Sequence, residues 1–167
     1  MKKGYKGILS TPLGEVLLYW QGTEIKGLWF IGQKYYANGI PAECIEDNSH
    51  SMVGNVQKWL DEYFEGDKKN CPFSVNPNGT EFQKTIWGIL LDIPYGKTRT
   101  YGEVASRYQC LTGKRTSPRA VGNAVSRNPV SILIPCHRVM ASGGRIGGYA
   151  GGIQKKQYLL ELEMKHR

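Results

Sequence analysis

The chain has 167 residues, 40% of them apolar and 22% charged, a balance that fits one ordinary domain or two small ones and excludes a disordered tail. No apolar run approaches the roughly 20 residues of a membrane helix, and the start Met1-Lys2-Lys3-Gly4-Tyr5-Lys6 has no apolar core behind it, which argues against a secretory signal. The formal net charge is +8, which either aids solubility or serves a polyanionic partner.

Three strand-like segments come first: Tyr5–Ser10, Glu15–Trp20 and Glu24–Phe30. They are separated by the turns Thr11-Pro12-Leu13-Gly14 and Gln21-Gly22-Thr23, which predicts an antiparallel meander. Residues 32–51 are rich in Gly, Asn, Pro and Ser without a clean period, and read as a loop with a broken helix at most. Val56, Leu60, Tyr63 and Phe64 then recur at helical spacing before Gly66, predicting a helix over about 53–65. Residues 66–79 are dominated by turn formers and read as a linker. The charge divides at the same place. Residues 1–77 carry 8 Lys and Arg against 9 Asp and Glu, whereas residues 78–167 carry 14 against 5. A boundary near residue 77 is therefore expected, with an N-terminal unit 1–77 and a basic unit 78–167. Confinement of the excess to one half favours nucleic acid as its partner.

The second half reads as helical. Thr80-Glu81-Phe82-Gln83 is a capping box, followed by the apolar stripe Phe82, Ile86, Ile89, Leu90 and Ile93, and Pro94-Tyr95-Gly96 ends that helix. A short helix is expected from Thr100 to about Arg107, and a third begins at Ser117 as N-cap with Pro118 at the first helical position. Val130–Ile134 predicts a small buried strand, Gly143–Gly152 is glycine-rich, and Lys155 to about Lys165 closes the chain as a helix with Leu159, Leu160 and Leu162 inside. The helices at about 100–107 and 117–128 resemble a helix-turn-helix with a long connector. On the third helix Ala120, Val121, Ala124 and Val125 share one face; Arg119, Gly122, Asn123, Ser126 and Arg127 share the other. Small side chains between two arginines would let that helix approach a crowded surface such as DNA; the alternative is a solvated helix face.

Four cysteines, Cys44, Cys71, Cys110 and Cys136, lie far apart with no CxxC spacing, which excludes a disulfide scaffold and points to a reducing compartment. Cys136 stands in Ile134-Pro135-Cys136-His137-Arg138-Val139, where nearby cations would lower a thiol pKa. Adjacent residues do not face each other in regular structure, so His137 would reach Cys136 only through a water or a bent backbone. Taken alone, Cys136 is either a nucleophile or a buried inert cysteine.

The surrounding blocks change that balance. They are Pro94-Tyr95-Gly96, Thr100-Tyr101-Gly102-Glu103-Val104-Ala105, Arg119-Ala120-Val121-Gly122-Asn123-Ala124, Asn128-Pro129-Val130, Pro135-Cys136-His137-Arg138-Val139 and Gly147-Gly148-Tyr149-Ala150-Gly151-Gly152. In their order and spacing they resemble the O6-alkylguanine-DNA alkyltransferase family over about residues 80–164. The resemblance implies an α/β (α+β) protein of two domains. The N-terminal one would be an RNase H-like antiparallel sheet with a helix; the C-terminal one would be winged-helix or helix-turn-helix-like. It implies an irreversible, single-turnover transfer of the alkyl group of O6-alkylguanine, and of O4-alkylthymine, to the protein's own Cys136. It also implies a flipped nucleotide, no cofactor, no metal, a monomer on double-stranded DNA with no membrane partner, and a location in a prokaryotic cytoplasm or a eukaryotic nucleus.

Carried over by position, Cys136 is the acceptor, His137 the base, Glu163 the carboxylate behind it, Asn128 the brace of the turn, and Tyr101 the donor to the departing guanine. Arg119 fills the stack. Thr100, Ala120, Gly122, Asn123, Ser126 and Arg127 face DNA, and Val139, Gly148, Tyr149, Ala150 and Lys156 form the base pocket. Two departures stand out. Cys44, His50 and Cys71 are too dispersed to suggest the zinc site of some relatives, and Ala150 stands where many relatives have serine, which removes a hydroxyl from the pocket. Three rivals remain: a non-catalytic lesion binder, disfavoured by the presence of Cys136; a helix-turn-helix regulator, disfavoured by the small residues on the third helix; and a cysteine hydrolase, for which no separate histidine motif exists.

Overall fold

The computed structural model describes residues 2–67 and 70–167, so Met1 and Lys68-Lys69 of the expected linker lie outside the described residues. The meander forms as expected. β1 (Gly4–Thr11), β2 (Gly14–Gln21) and β3 (Glu24–Phe30) pair antiparallel, with Leu18 opposite Gly7 on one side and Leu28 on the other. Period-two alternation sends Leu18, Trp20, Leu28 and Phe30 to one face and Leu17, Tyr19 and Trp29 to the other. The first face packs on Val53, Val56 and Leu60 of helix α1 (Ser51–Phe64); the second is covered by Ala37, Ile40 and Cys44.

Two-residue strands extend the sheet at both edges, and neither was legible in the sequence. β4 (Ile45–Glu46) pairs parallel with β1, inside the segment expected as loop. β5 (Ser74–Val75) pairs parallel with β3, inside the expected linker. The order is β4-β1-β2-β3-β5. No helix forms in residues 32–50, where the chain runs through turns. Helix α1 is capped by His50, whose Nδ1 accepts from the Met52 N–H.

The second half contains α2 (Glu81–Leu91), β6 (Arg99–Thr100), α3 (Tyr101–Thr112), α4 (Pro118–Ser126), β7 (Val139–Met140) and α5 (Ile153–His166). Both halves of the capping box at Thr80 and Gln83 form, and Thr100 with Glu103 makes a second one. α3 runs five residues past its expected end, to a left-handed Gly113 C-cap. Ser117 caps α4 with Pro118 at its start, as expected. In α5 the buried positions are Lys156, Leu159 and Glu163; Leu160 and Leu162 are only half-buried.

The segment 130–134 corrects the expectation of a strand. Val130 makes a single parallel bridge to Leu28, and Ser131 to Leu133 then turn. Ile132 is buried at a φ of +69°, a conformation costly for a β-branched residue. A continuous apolar run marks burial but not conformation, which is why the sequence pattern misled here. That bridge joins the halves. The Leu28 N–H donates to the Pro129 carbonyl and the Ser131 N–H to the Leu28 carbonyl, each at 2.8 Å. One apolar core runs continuously from Leu9 in β1 to Leu159 in α5.

Gly27 shows how tightly the sheet is packed. A Cβ there would lie 2.0 Å from the Trp29 indole, itself buried. Gly27→Ala is expected to lower the unfolding free energy by about 1–3 kcal/mol by overpacking. Urea denaturation measures it; a change within experimental error would show that Trp29 gives way freely.

Candidate active site

The reactive segment is built by three consecutive tight turns. The Ile134 N–H bonds to the Val130 carbonyl, Pro135 (φ −79°, ψ 63°) centres an inverse γ-turn in which the Cys136 N–H bonds to the Ile134 carbonyl, and Cys136–Arg138 form one turn of 3-10 helix. Asn128 holds the first two turns together. Its amide donates to the Ile134 carbonyl at 2.9 Å and the Val130 carbonyl at 3.3 Å, while its oxygen accepts from the Val130 N–H at 2.9 Å. The C-cap of α4 is Arg127, so Asn128 is free to serve the turn.

The 3-10 turn points its three side chains in three directions. Cys136 faces a cavity of about 290 Å³ lined by Lys34, Tyr101, Gly122, Val125, Ser126, Gly148, Tyr149 and Ala150. His137 is fully buried on the other side, where its Nε2 lies 2.7 Å from Glu163 Oε2. Its Nδ1 is buried with no hydrogen-bond partner among the described residues. Arg138 reaches past His137 and grips Glu163 through Nε (2.8 Å) and Nη2 (3.0 Å), with Nη1 on the Ile93 carbonyl.

Glu163 is therefore far from a surface charge. It is 1% exposed and also accepts from the Tyr63 hydroxyl at 2.6 Å and the Gly96 N–H at 3.3 Å. Burial alone would raise its pKa; the hydrogen bonds of His137 and Arg138, with the Arg138 charge, outweigh burial and hold the carboxyl well below the ordinary range. Burial pushes the His137 imidazole down, with Arg138 and Lys156 acting the same way against the pull of Glu163. Both directions describe one state: an ionised Glu163, bound by Arg138, that accepts the Nε2–H of a neutral His137 and leaves Nδ1 as a free acceptor.

The thiol departs from the expectation that neighbouring cations would lower its pKa. Burial dominates and raises it; Asn128, Lys156 and Tyr149 pull only partly the other way. Arg138, its near neighbour in sequence, is committed to Glu163. Lys156 is buried, its ammonium lowered to about 8 by burial, and it donates to the carbonyls of Val139 (2.6 Å) and Gly148 (3.1 Å). It thus ties the 148–150 loop to β7. Val139 is buried and pairs with Arg99. The Tyr149 hydroxyl is buried beside Cys136 and Ser131. Tyr101 is half-buried, with its hydroxyl beside Gly148 and its pKa raised by burial, so it stays a protonated donor.

Among the other expected residues, Thr100 spends its hydroxyl on capping α3. Arg119 is exposed in the first turn of α4, Ala120 is half-buried beside it, and Asn123 is exposed. Gly122 and Ser126 line the cavity. Arg127, expected on the polar face toward DNA, stacks 4.1 Å over the Tyr35 ring from the N-terminal half. Cys44, His50 and Cys71 go to separate places: the outer sheet face, the α1 cap and a contact with the Phe73 carbonyl. No cluster of metal-ligating side chains occurs among the described residues, and none of the described helices is long and apolar enough to cross a membrane.

Sequence reasoning missed Tyr63, the backbone of Gly96, Lys34 and the true partner of Arg138. Their partners lie 25 to 100 residues away for Arg138 and Tyr63, beyond any local spacing.

The pattern described as the DNA binding domain of 6-O-methylguanine DNA methyltransferase matches residues 81–165. A methylated-DNA–protein-cysteine methyltransferase of Methanosarcina barkeri is 41% identical, covering 95% of this chain and 96% of its own. A protein of the same name from Mycobacterium leprae is 38% identical, covering 95% and 91%. Mycobacterium tuberculosis OGT in complex with DNA superposes with a TM-score of 0.86 at 33% identity, covering 97% of this chain and 94% of that one.

The buried pair makes stability pH-dependent with a defined sign. His137 has a folded pKa below its ordinary 6.5, so stability begins to fall as pH drops through 6.5, where the unfolded imidazole takes a proton and the buried one does not. Glu163 has a folded pKa below its ordinary 4.5, so its contribution is present above 4.5 and lost below it. The melting temperature is expected to fall in these two stages, and His137→Gln to remove the first; a first stage that persists in that variant would show that it does not come from His137.

Proposed function

The chain belongs to the methylated-DNA–protein-cysteine methyltransferase family, and from that premise we propose that it repairs O6-alkylguanine in duplex DNA by moving the alkyl group, once, onto Sγ of its own Cys136. The observation that carries this reading is the cavity lined together by Cys136, Tyr101, the Gly148–Ala150 loop and Gly122 of α4. The Cys136–His137 turn is backed by Glu163. At about 290 Å³ the cavity is large enough for one nucleobase, and Gly122, Val125 and Ser126 of α4 line it.

The reaction needs little from the protein beyond placement. The sulfur–carbon bond forms as the carbon–O6 bond breaks, in line and in one step. The thiol proton passes to Nδ1 of neutral His137 across a bridging water. A thiol whose pKa is raised by burial is not ionised beforehand, so this transfer supplies the thiolate as it is needed. The electron pair of the broken bond goes to guanine, where the Tyr101 O–H meets it. The product is a thioether, which no group in the site reverses, so each molecule acts once. Lysines and arginines of α3, α4 and their connector (Arg107, Lys114, Arg115 and Arg119) are exposed for phosphate contact. Arg119 enters the stack vacated by the flipped nucleotide. The working form is a monomer in which residues 78–167 carry DNA binding and chemistry and residues 1–77 support them from behind. O4-alkylthymine is a second substrate of the same cavity, and no cofactor takes part.

Peptide mapping after reaction with O6-methylguanine duplex is expected to show one added methyl, on Cys136; methylation of Cys44, Cys71 or Cys110 would overturn the assignment. Cys136→Ala should abolish transfer and keep DNA binding.

Arg119 and Arg127 separate flipping from simple electrostatics. Arg119→Ala should slow repair of duplex DNA far more than reaction with the free base, which has no stack to leave; the lost plug offsets an unstacking cost of a few kcal/mol. Arg127→Ala should leave that ratio near wild type. Equal ratios for Arg119→Ala and wild type would reduce Arg119 to one more surface cation.

A further inference from the structure

Tyr63 lies in α1, outside the lining of the cavity that holds the thiol, yet its hydroxyl makes the shortest hydrogen bond to the Glu163 carboxylate, at 2.6 Å. Its ring is held on three sides. Trp59 stacks on it at 5.4 Å, and Phe64 and Tyr95 meet it edge-on at 5.2 and 6.1 Å. Packing alone would be satisfied by phenylalanine; among the described residues the hydroxyl bonds to one group, the carboxylate behind His137.

Glu163 Oε2 takes three donors: Tyr63 Oη, His137 Nε2 and Arg138 Nη2. Donors on one oxygen compete for its charge, so each weakens the hold of the oxygen on the others. A strong hold on the His137 Nε2–H would make Nδ1 more basic. We infer that Tyr63 is a positioning residue that, through Glu163, sets the basicity of His137. The inference rests on the transferase reading above. Other charged and titratable groups around the pair are Arg138 on the 3-10 turn, Tyr95 beside Gly96, Cys136, Tyr149 in the loop facing it, and Lys156 on the same helix as Glu163. All are unchanged by removing the Tyr63 hydroxyl. The N-terminal half would thereby set the pH range of a reaction carried out by the C-terminal half.

The test is the single-turnover rate of methyl transfer from O6-methylguanine duplex to Cys136, measured from pH 5 to 9. Tyr63→Phe is expected to move the midpoint of the acid limb upward by about half a unit, so that on that limb the rate falls about threefold relative to the alkaline plateau. Replacing Tyr63 with 3-fluorotyrosine, a stronger donor that keeps the packing, should move the midpoint the other way. A limb that superimposes on wild type in both variants overturns the inference, even if Tyr63→Phe lowers the melting temperature, because loss of packing alone does not shift a titration. Should Tyr63→Phe fail to fold, the fluorotyrosine protein decides the matter. Absence of methyl transfer by the wild-type protein is a different result, which would remove the transferase reading and the inference with it.

Discussion

A carboxylate that is 1% exposed is the constraint on which this structure turns. An isolated buried charge is prohibitively costly, and Glu163 is tolerated because five hydrogen bonds converge on its two oxygens from four residues. Those residues come from everywhere: α1 supplies Tyr63, the loop after α2 supplies Gly96, and the reactive turn supplies His137 and Arg138. Satisfying one charge thus fixes how α5, the reactive turn and the N-terminal half sit together. It also dictates the state of His137. Because Arg138 already neutralises Glu163, the imidazole can stay neutral and donate from Nε2, which leaves Nδ1 as an acceptor.

That arrangement resolves an apparent paradox in the thiol. Cysteine nucleophiles are usually activated by a lowered pKa, in an electropositive and partly exposed setting. Here burial wins and the thiol is harder to ionise than an ordinary one. A standing thiolate in an open cavity would be exposed to oxidation. On the proposed reading, in which neutral His137 serves as the base, a protonated thiol becomes nucleophilic only when the electrophile is in line. For a protein consumed by one turnover, protecting the thiol until the substrate arrives matters more than raw nucleophilicity.

Much of this was legible in the sequence, for reasons that are local. The two capping boxes at Thr80 and Thr100, Ser117-Pro118 before α4, and the alternation of Leu18, Trp20 and Leu28 against Leu17, Tyr19 and Trp29 all follow from interactions within a few residues or one strand pair. The reactive block was legible through its likeness to a family rather than through its chemistry. Read chemically, Cys136-His137-Arg138 pointed the wrong way, because sequence neighbours on a tight turn diverge. Arg138 goes to Glu163, and the cation nearest in effect to the thiol is Lys156, 20 positions on. The two-residue edge strands β4 and β5 are too short to leave a periodic trace. Val130–Ile134 misled because uniform burial erases the very periodicity that tells strand from turn.

The left-handed Ile132 shows what the N-terminal half contributes besides burial. A β-branched residue at φ +69° persists only where its surroundings over-determine it. The segment is clamped on one side by Asn128, whose three hydrogen bonds close the turn from within, and on the other by β3, which takes two backbone bonds through Leu28. The Ser131 hydroxyl adds a contact to Gln33 at 3.2 Å. With both ends fixed, the Asn128 bond to the Ile134 carbonyl also places the start of the γ-turn at Pro135 and, with it, Cys136. The cavity wall is fastened to the same element, since the Lys34 N–H donates to the Ala150 carbonyl and Gln33, its neighbour, holds the Phe30 N–H. The half that carries none of the excess positive charge therefore grips both the nucleophile segment and the loop facing it. It keeps the two at a fixed separation while the basic half is free to engage the duplex.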